Sequence, residues 1–108
     1  MTTLTALYKL SEDSAAFDAH YNDIHTPLAK KMEGLRKMEL TKVKKMLTPP
    51  NGMLEAQPYL VCTMYFDDSA ALKAGMNSEG GKAAAADLAS FAGPLVSMII
   101  GETNEVPL

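Results

Sequence analysis

The chain has 108 residues, 47% of them hydrophobic and 21% charged, with a formal net charge of −3. That length fits one compact domain, and an acidic balance with no Lys/Arg cluster interleaved with aromatics argues against nucleic acid as a partner. No apolar run approaches a membrane span, and Met1 to Leu10 lacks the charged and long apolar regions of a secretion signal, so no membrane partner is expected either. The lone Cys62 has no internal disulfide partner and reads as a small buried hydrophobe, which fits a reducing, cytoplasmic setting.

Thr3 to Lys9, short, β-branched and apolar, reads as a first strand. Ser11 can cap the helix that follows, in which Phe17, Tyr21, Ile24 and Leu28 recur at the spacing of one buried helical face. Pro27 lacks a backbone N–H and disfavours helical dihedrals at Thr26. The first helix is therefore expected to end near His25, with Thr26 capping a further turn that runs to about Met32. This places His25 at a helix C-terminus, where the dipole favours the imidazolium form and the break can turn the ring inward. Gly34 stops the helix, and Leu35 to Leu47 reads as a second strand, with Met38 and Leu40 on one face and Lys37, Glu39 and Thr41 on the other. Thr48-Pro49-Pro50-Asn51-Gly52 is a turn signal, and Tyr59 to Phe66 is the clearest strand. Asp68 or Ser69 can cap a helix that pauses at Gly75, restarts near Asn77 or Ser78 and runs through an alanine cluster to Phe91. Its small residues would let it lie close to a sheet. Gly93-Pro94 ends it before a last strand, Leu95 to Ile100.

The order β-α-β-β-α-β specifies an α+β, ferredoxin-like fold: a four-stranded antiparallel sheet with both helices on one face. Strand three offers Leu60, Cys62, Met64 and Phe66 to one side and Tyr59, Val61, Thr63 and Tyr65 to the other, so neither face suits open water. A homodimer with sheet against sheet across a two-fold axis would cover the remaining face and leave pockets between each sheet and its helices or partner.

Candidate chemistry centres on His25, whose imidazole can act as general base or acid near neutral pH. Tyr21, one helical turn earlier, could hydrogen-bond a bound oxygen, although its place on the apolar stripe also suits core packing. His20 could reach the pocket or bond a carboxylate such as Asp23. The two histidines with Asp18 and Asp23 do not make a metal site, because five positions along an α-helix set them about 140° apart. Gly80-Gly81 forms no phosphate-binding pattern, so no cofactor is expected. Met38, Tyr59, Val61 and Tyr65, with His20, are the expected ligand-contacting side chains of a pocket for a small hydrophobic organic molecule.

The pattern Phe17-Asp18-Ala19-His20-Tyr21, then His25, Pro27-Leu28 and Gly34-Leu35-Arg36-Lys37, resembles the EthD family, named for ethyl tert-butyl ether degradation, of the dimeric α+β barrel superfamily. The likeness continues through strand three, Phe66-Asp67, Asp87-Leu88 with Phe91, and the closing strand. It implies a homodimer with a pocket for a small, often apolar, organic molecule. Relatives include isomerases, cyclases and decarboxylases that need no cofactor, and proteins without established activity. Relatives that handle lactones tend to carry a tyrosine in the second strand where this chain has Met38. Two readings follow. One is a cofactor-independent oxidoreductase or proton-transfer enzyme of a degradation pathway using His25, assisted by Tyr21 or Tyr65; the other is a non-catalytic ligand-binding or auxiliary protein whose histidine caps a helix.

Overall fold

Alternation along the third strand and the later part of the first organises the molecule, described here from a computed structural model covering residues 1–47 and 58–108. The expected turn at Thr48 to Gly52 lies outside the described residues. Four strands, β1 (Thr2–Lys9), β2 (Lys37–Lys42), β3 (Pro58–Phe66) and β4 (Val96–Glu102), form one antiparallel sheet in the order β2-β3-β1-β4. Leu4, Ala6 and Tyr8 of β1 lie opposite Met64, Cys62 and Leu60 of β3, so both strands send the same set inward to the helices. The result is the α+β, ferredoxin-like arrangement expected from the element order.

β2 is shorter than the expected Leu35 to Leu47, running from Lys37 to Lys42, with Lys44 and Lys45 beyond it exposed. Between Tyr8 and Lys9 the register with β3 slips by one, leaving Tyr59 without a partner on β1. That irregularity turns Tyr59 toward the first helix rather than onto the open face with Val61, and its hydroxyl donates to Asp18 Oδ2 at 2.8 Å.

Two helices, α3 (Ser69–Asn77) and α4 (Glu79–Ala92), return the chain to β4. Asp68 caps α3 by accepting from the Ala71 N–H at 2.8 Å, and Ser78 caps α4 by accepting from Gly81. Gly75, Gly80 and Gly81 are packing devices: a Cβ on any of them would run into the backbone oxygen of Glu33, Lys31 or Gly75 respectively. The buried stripe of α4, Gly81, Ala84, Leu88 and Ala92, is small at its N-terminal end. Among the described residues this leaves a gap against the sheet.

Candidate active site between the sheet and the helices

The segment from Ser14 to Ala29 does not break. It runs as α1 (Ser14–His20), a single π-helical stretch (Tyr21–His25) and α2 (Thr26–Ala29), with His20, His25 and Thr26 all in right-handed helical conformation. Asp13, rather than Ser11, is the N-cap, accepting from the Ala16 N–H at 3.0 Å; Ser11 instead accepts from the Asp13 N–H. The missing N–H of Pro27 is absorbed by the wider turn, in which the Thr26 N–H reaches back to the Tyr21 carbonyl. Thr26 therefore caps nothing, and its buried hydroxyl has no partner among the described residues.

This π-turn rewrites the buried face. Instead of Phe17, Tyr21, Ile24 and Leu28, the inward stripe is Phe17, Tyr21, His25 and Ala29, while Ile24 is 48% exposed. It also brings His20 and His25 toward one another, because hydrogen bonds spanning five residues place positions five apart on nearly the same side. Both rings meet the carboxylate of Asp87 on α4. His20 Nε2 lies 2.8 Å from Oδ1 and His25 Nδ1 lies 3.1 Å from Oδ2. Phe91, one turn along α4, stacks on His20 at 4.2 Å between ring centres and lies 5.3 Å from the ring of His25. The carboxylate accepts from both rings, so His25 Nδ1 carries the proton and Nε2 presents its lone pair.

Beside His25 opens a cleft of about 90 Å³ between the sheet and α4, where Gly81, Ala84 and Ala85 face Leu4, Ala6 and Met64. Tyr8 and His25 supply its polar side chains; Met76 and Met98, 44% and 47% exposed, stand at its mouth. Burial pushes the His25 pKa below its ordinary value of 6.5, against the opposing pull of Asp87. The ring is thus held neutral, contrary to the imidazolium expected of a helix end. Burial pushes Tyr8 up to about 12 and raises Tyr21 further, so both phenols remain protonated and Tyr8 is a donor. It raises the Cys62 thiol as well, which disfavours a thiolate nucleophile. Among the described residues, no group of three or more His, Cys, Asp or Glu is arranged to hold a metal ion.

The EthD domain family matches residues 9–95. This chain belongs to the EthD family. An EthD family protein of Bacillus halodurans, of known crystal structure, is 41% identical, with a TM-score of 0.86 over 96% of this chain and 99% of that one. A Rhodococcus erythropolis sequence described as an uncharacterized 11.0 kDa protein in the thcB-thcC intergenic region is 30% identical over 107 residues, 98% of each chain. A dimeric ferredoxin-like protein of unknown function from Thermobifida fusca shares the fold at 11% identity, with a TM-score of 0.69 over 94% of this chain and 90% of that one.

In this EthD family chain the sequence-derived candidates are dispersed. His25 lines the cleft; His20 stands behind it, joined through Asp87 rather than the expected Asp23. Tyr21 packs in the core, between Phe17 and His25, near Tyr8 and Cys62 but with its hydroxyl unpaired among the described residues. The other four do not line this cleft. Met38 faces the helices, paired with Met64, at the β2 edge; Tyr59 is turned to Asp18 by the register slip. Val61 and Tyr65 lie on the face away from the helices, where Tyr65 donates to Glu39 Oε1 at 2.6 Å. Asp87 and Tyr8 are the functional candidates that sequence reasoning missed. An acid set beside the buried stripe of an alanine-rich helix was the available signal for Asp87, and alternation with Leu4 and Ala6 was the signal for Tyr8.

Proposed function

We propose that this EthD family chain, a single cytoplasmic domain, binds a small hydrophobic organic molecule in the cleft beside His25. There, His25, oriented by Asp87, takes a proton from it. The reading rests above all on one observation: a buried imidazole, held neutral and fixed through Nδ1 by a carboxylate, forms part of the wall of an otherwise apolar cleft. This is the arrangement of a general base. Asp87 keeps the ring in one tautomer and stabilises the imidazolium that forms. No bound cofactor is required for the transfer, and the carbanion or enolate produced can be reprotonated at another carbon, close a ring on the same molecule, expel a β-leaving group or pass electrons to dioxygen. The same base therefore serves a lyase, an isomerase or a cofactor-independent oxidoreductase of a degradation pathway.

The working unit in this proposal is a homodimer. Leu7, Val61, Tyr65 and Ile99 share the face that carries no helix among the described residues, and the Thermobifida fusca protein of the same fold is described as dimeric. To test the catalytic reading, native mass spectrometry of freshly purified protein should find a retained small molecule on a dimer. Exchange of that molecule's carbon-bound hydrogen for deuterium from heavy water should then fall roughly a hundredfold in His25→Asn. Unchanged exchange in the variant would remove His25 as the base and leave a binding protein.

A further inference from the structure

Among the described residues thirteen line the cleft, and none of these is Lys, Arg, Asp or Glu. An anionic ligand would find no counter-charge there, and the carboxylate of Asp87 would stand behind the ring it met. The ligand must be neutral. Its polar group is set by His25. Because Nδ1 gives its proton to Asp87, a neutral ring has none left for Nε2, which can only accept. Nε2 has no hydrogen-bond partner among the described residues, and it is not one of their fully enclosed unpaired atoms, so it is open to what enters the cleft. Tyr8, the other polar side chain of the wall with a hydrogen to give, offers a donor.

An ether or ketone, which only accepts, would satisfy Tyr8 and strand the lone pair of Nε2 in an apolar cleft. A hydroxyl satisfies both, donating to one and accepting from the other. Taking the cleft as the ligand site, as proposed above, we propose that it selects uncharged alcohols of phenol or enol type, whose hydroxyl hydrogen is given to Nε2 of His25. On transfer the O–H bond breaks, its electron pair stays on oxygen, and Nε2 gains the proton while Nδ1–H remains on Asp87. At about 90 Å³ the cleft is smaller than the roughly 150 Å³ that takes a whole benzene ring, so the hydroxyl end enters and the rest of the ligand emerges between Met76 and Met98. Methionine suits that mouth, being unbranched and polarizable.

Cyclohexanol and cyclohexanone, near isosteres that differ in the donor, test the proposal, with phenol as an acidic hydroxyl and benzoate as the charged control. Binding is read from the methyl resonances of Met64 and Met98 during titration. Cyclohexanol is expected to bind wild-type protein about tenfold or more tightly than cyclohexanone, the worth of one satisfied hydrogen bond, with phenol tighter still and benzoate not binding. His25→Leu should abolish the alcohol preference, and the wild-type ratio decides the matter even if that variant does not fold. Equal or inverted affinities with both methyl groups perturbed, or tight benzoate binding, would overturn the ligand class while leaving the cleft as a binding site. Failure of every probe to perturb either methyl would overturn the ligand class and the site reading together.

Discussion

Each face of the sheet carries an aromatic ring bonded to a carboxylate, and the two pairs behave differently. On the open face Tyr65 donates to Glu39 at 2.6 Å, with the Lys37 ammonium 5.2 Å from the ring centre. On the helix side His25 meets Asp87 at 3.1 Å. The shorter contact belongs to the weaker arrangement: Glu39 is 47% exposed, so water competes for it and salt screens it, whereas the side chains of His25 and Asp87 are 7% and 14% exposed. What turns a hydrogen-bonded pair into a candidate site is exclusion of water beside a cleft. The open face has the polar groups without the enclosure.

The widest contrast between the faces should appear in stability. Phe66→Ala removes a fully buried ring from the helix side and should cost about 3–5 kcal/mol in chemical denaturation, whereas Tyr65→Ala on the other face should cost well under half as much in the isolated chain. A small Phe66→Ala effect would mean that the core does not lie where the sheet and helices enclose it. Next in size, Val61→Lys or Thr63→Lys would bury an unpaired charge in a sheet-to-sheet contact and should yield monomer or aggregate by light scattering. Wild-type protein that stays monomeric at micromolar concentration would contradict the proposed dimer. Asp87→Ala should cost about 1–3 kcal/mol by stranding two imidazoles, while Glu39→Ala should be nearly neutral. Equal effects of the two would erase the distinction drawn here.

The smallest effect is a pH dependence. His25 has a lower pKa folded than unfolded, so below 6.5 the unfolded chain takes up its proton more readily. Its contribution to stability is fully present above 6.5 and is lost as pH falls from there through the folded value. Thermal melting across that range should flatten in His25→Asn, and an unaltered slope would mean that His25 is not the group responsible.

The element order was legible because alternation in β1 and β3 and the stop at Gly93-Pro94 are local signals that tertiary packing reinforces, whereas the helix expected to run to about Met32 ends at Ala29, several residues before Gly34. The site was less so. Pro27 signals a helix break, yet a π-turn can absorb the same missing N–H without one, and the sequence holds no separate mark for that choice. The turn exchanges Ile24 for His25 on the buried stripe and undoes the argument that residues five apart must diverge. Asp87 stands 67 residues from His20 and 62 from His25, a meeting that only the docking of α4 creates. Tyr59 was assigned to the wrong face for a similar reason, since a one-residue slip changes the side on which a strand residue falls.

The proposed role of His25 requires Asp87 to hold it as a neutral base with Nε2 bare toward the cleft. Nitrogen NMR of ¹⁵N-histidine-labelled protein measures this directly, with His25→Asn assigning the signals. For His25 at pH 7 the expected result is Nδ1 protonated and Nε2 unprotonated, with a titration midpoint below 6.5 and the tautomeric preference lost in Asp87→Ala. A protonated Nε2 at pH 7, or a midpoint above 6.5, would contradict it.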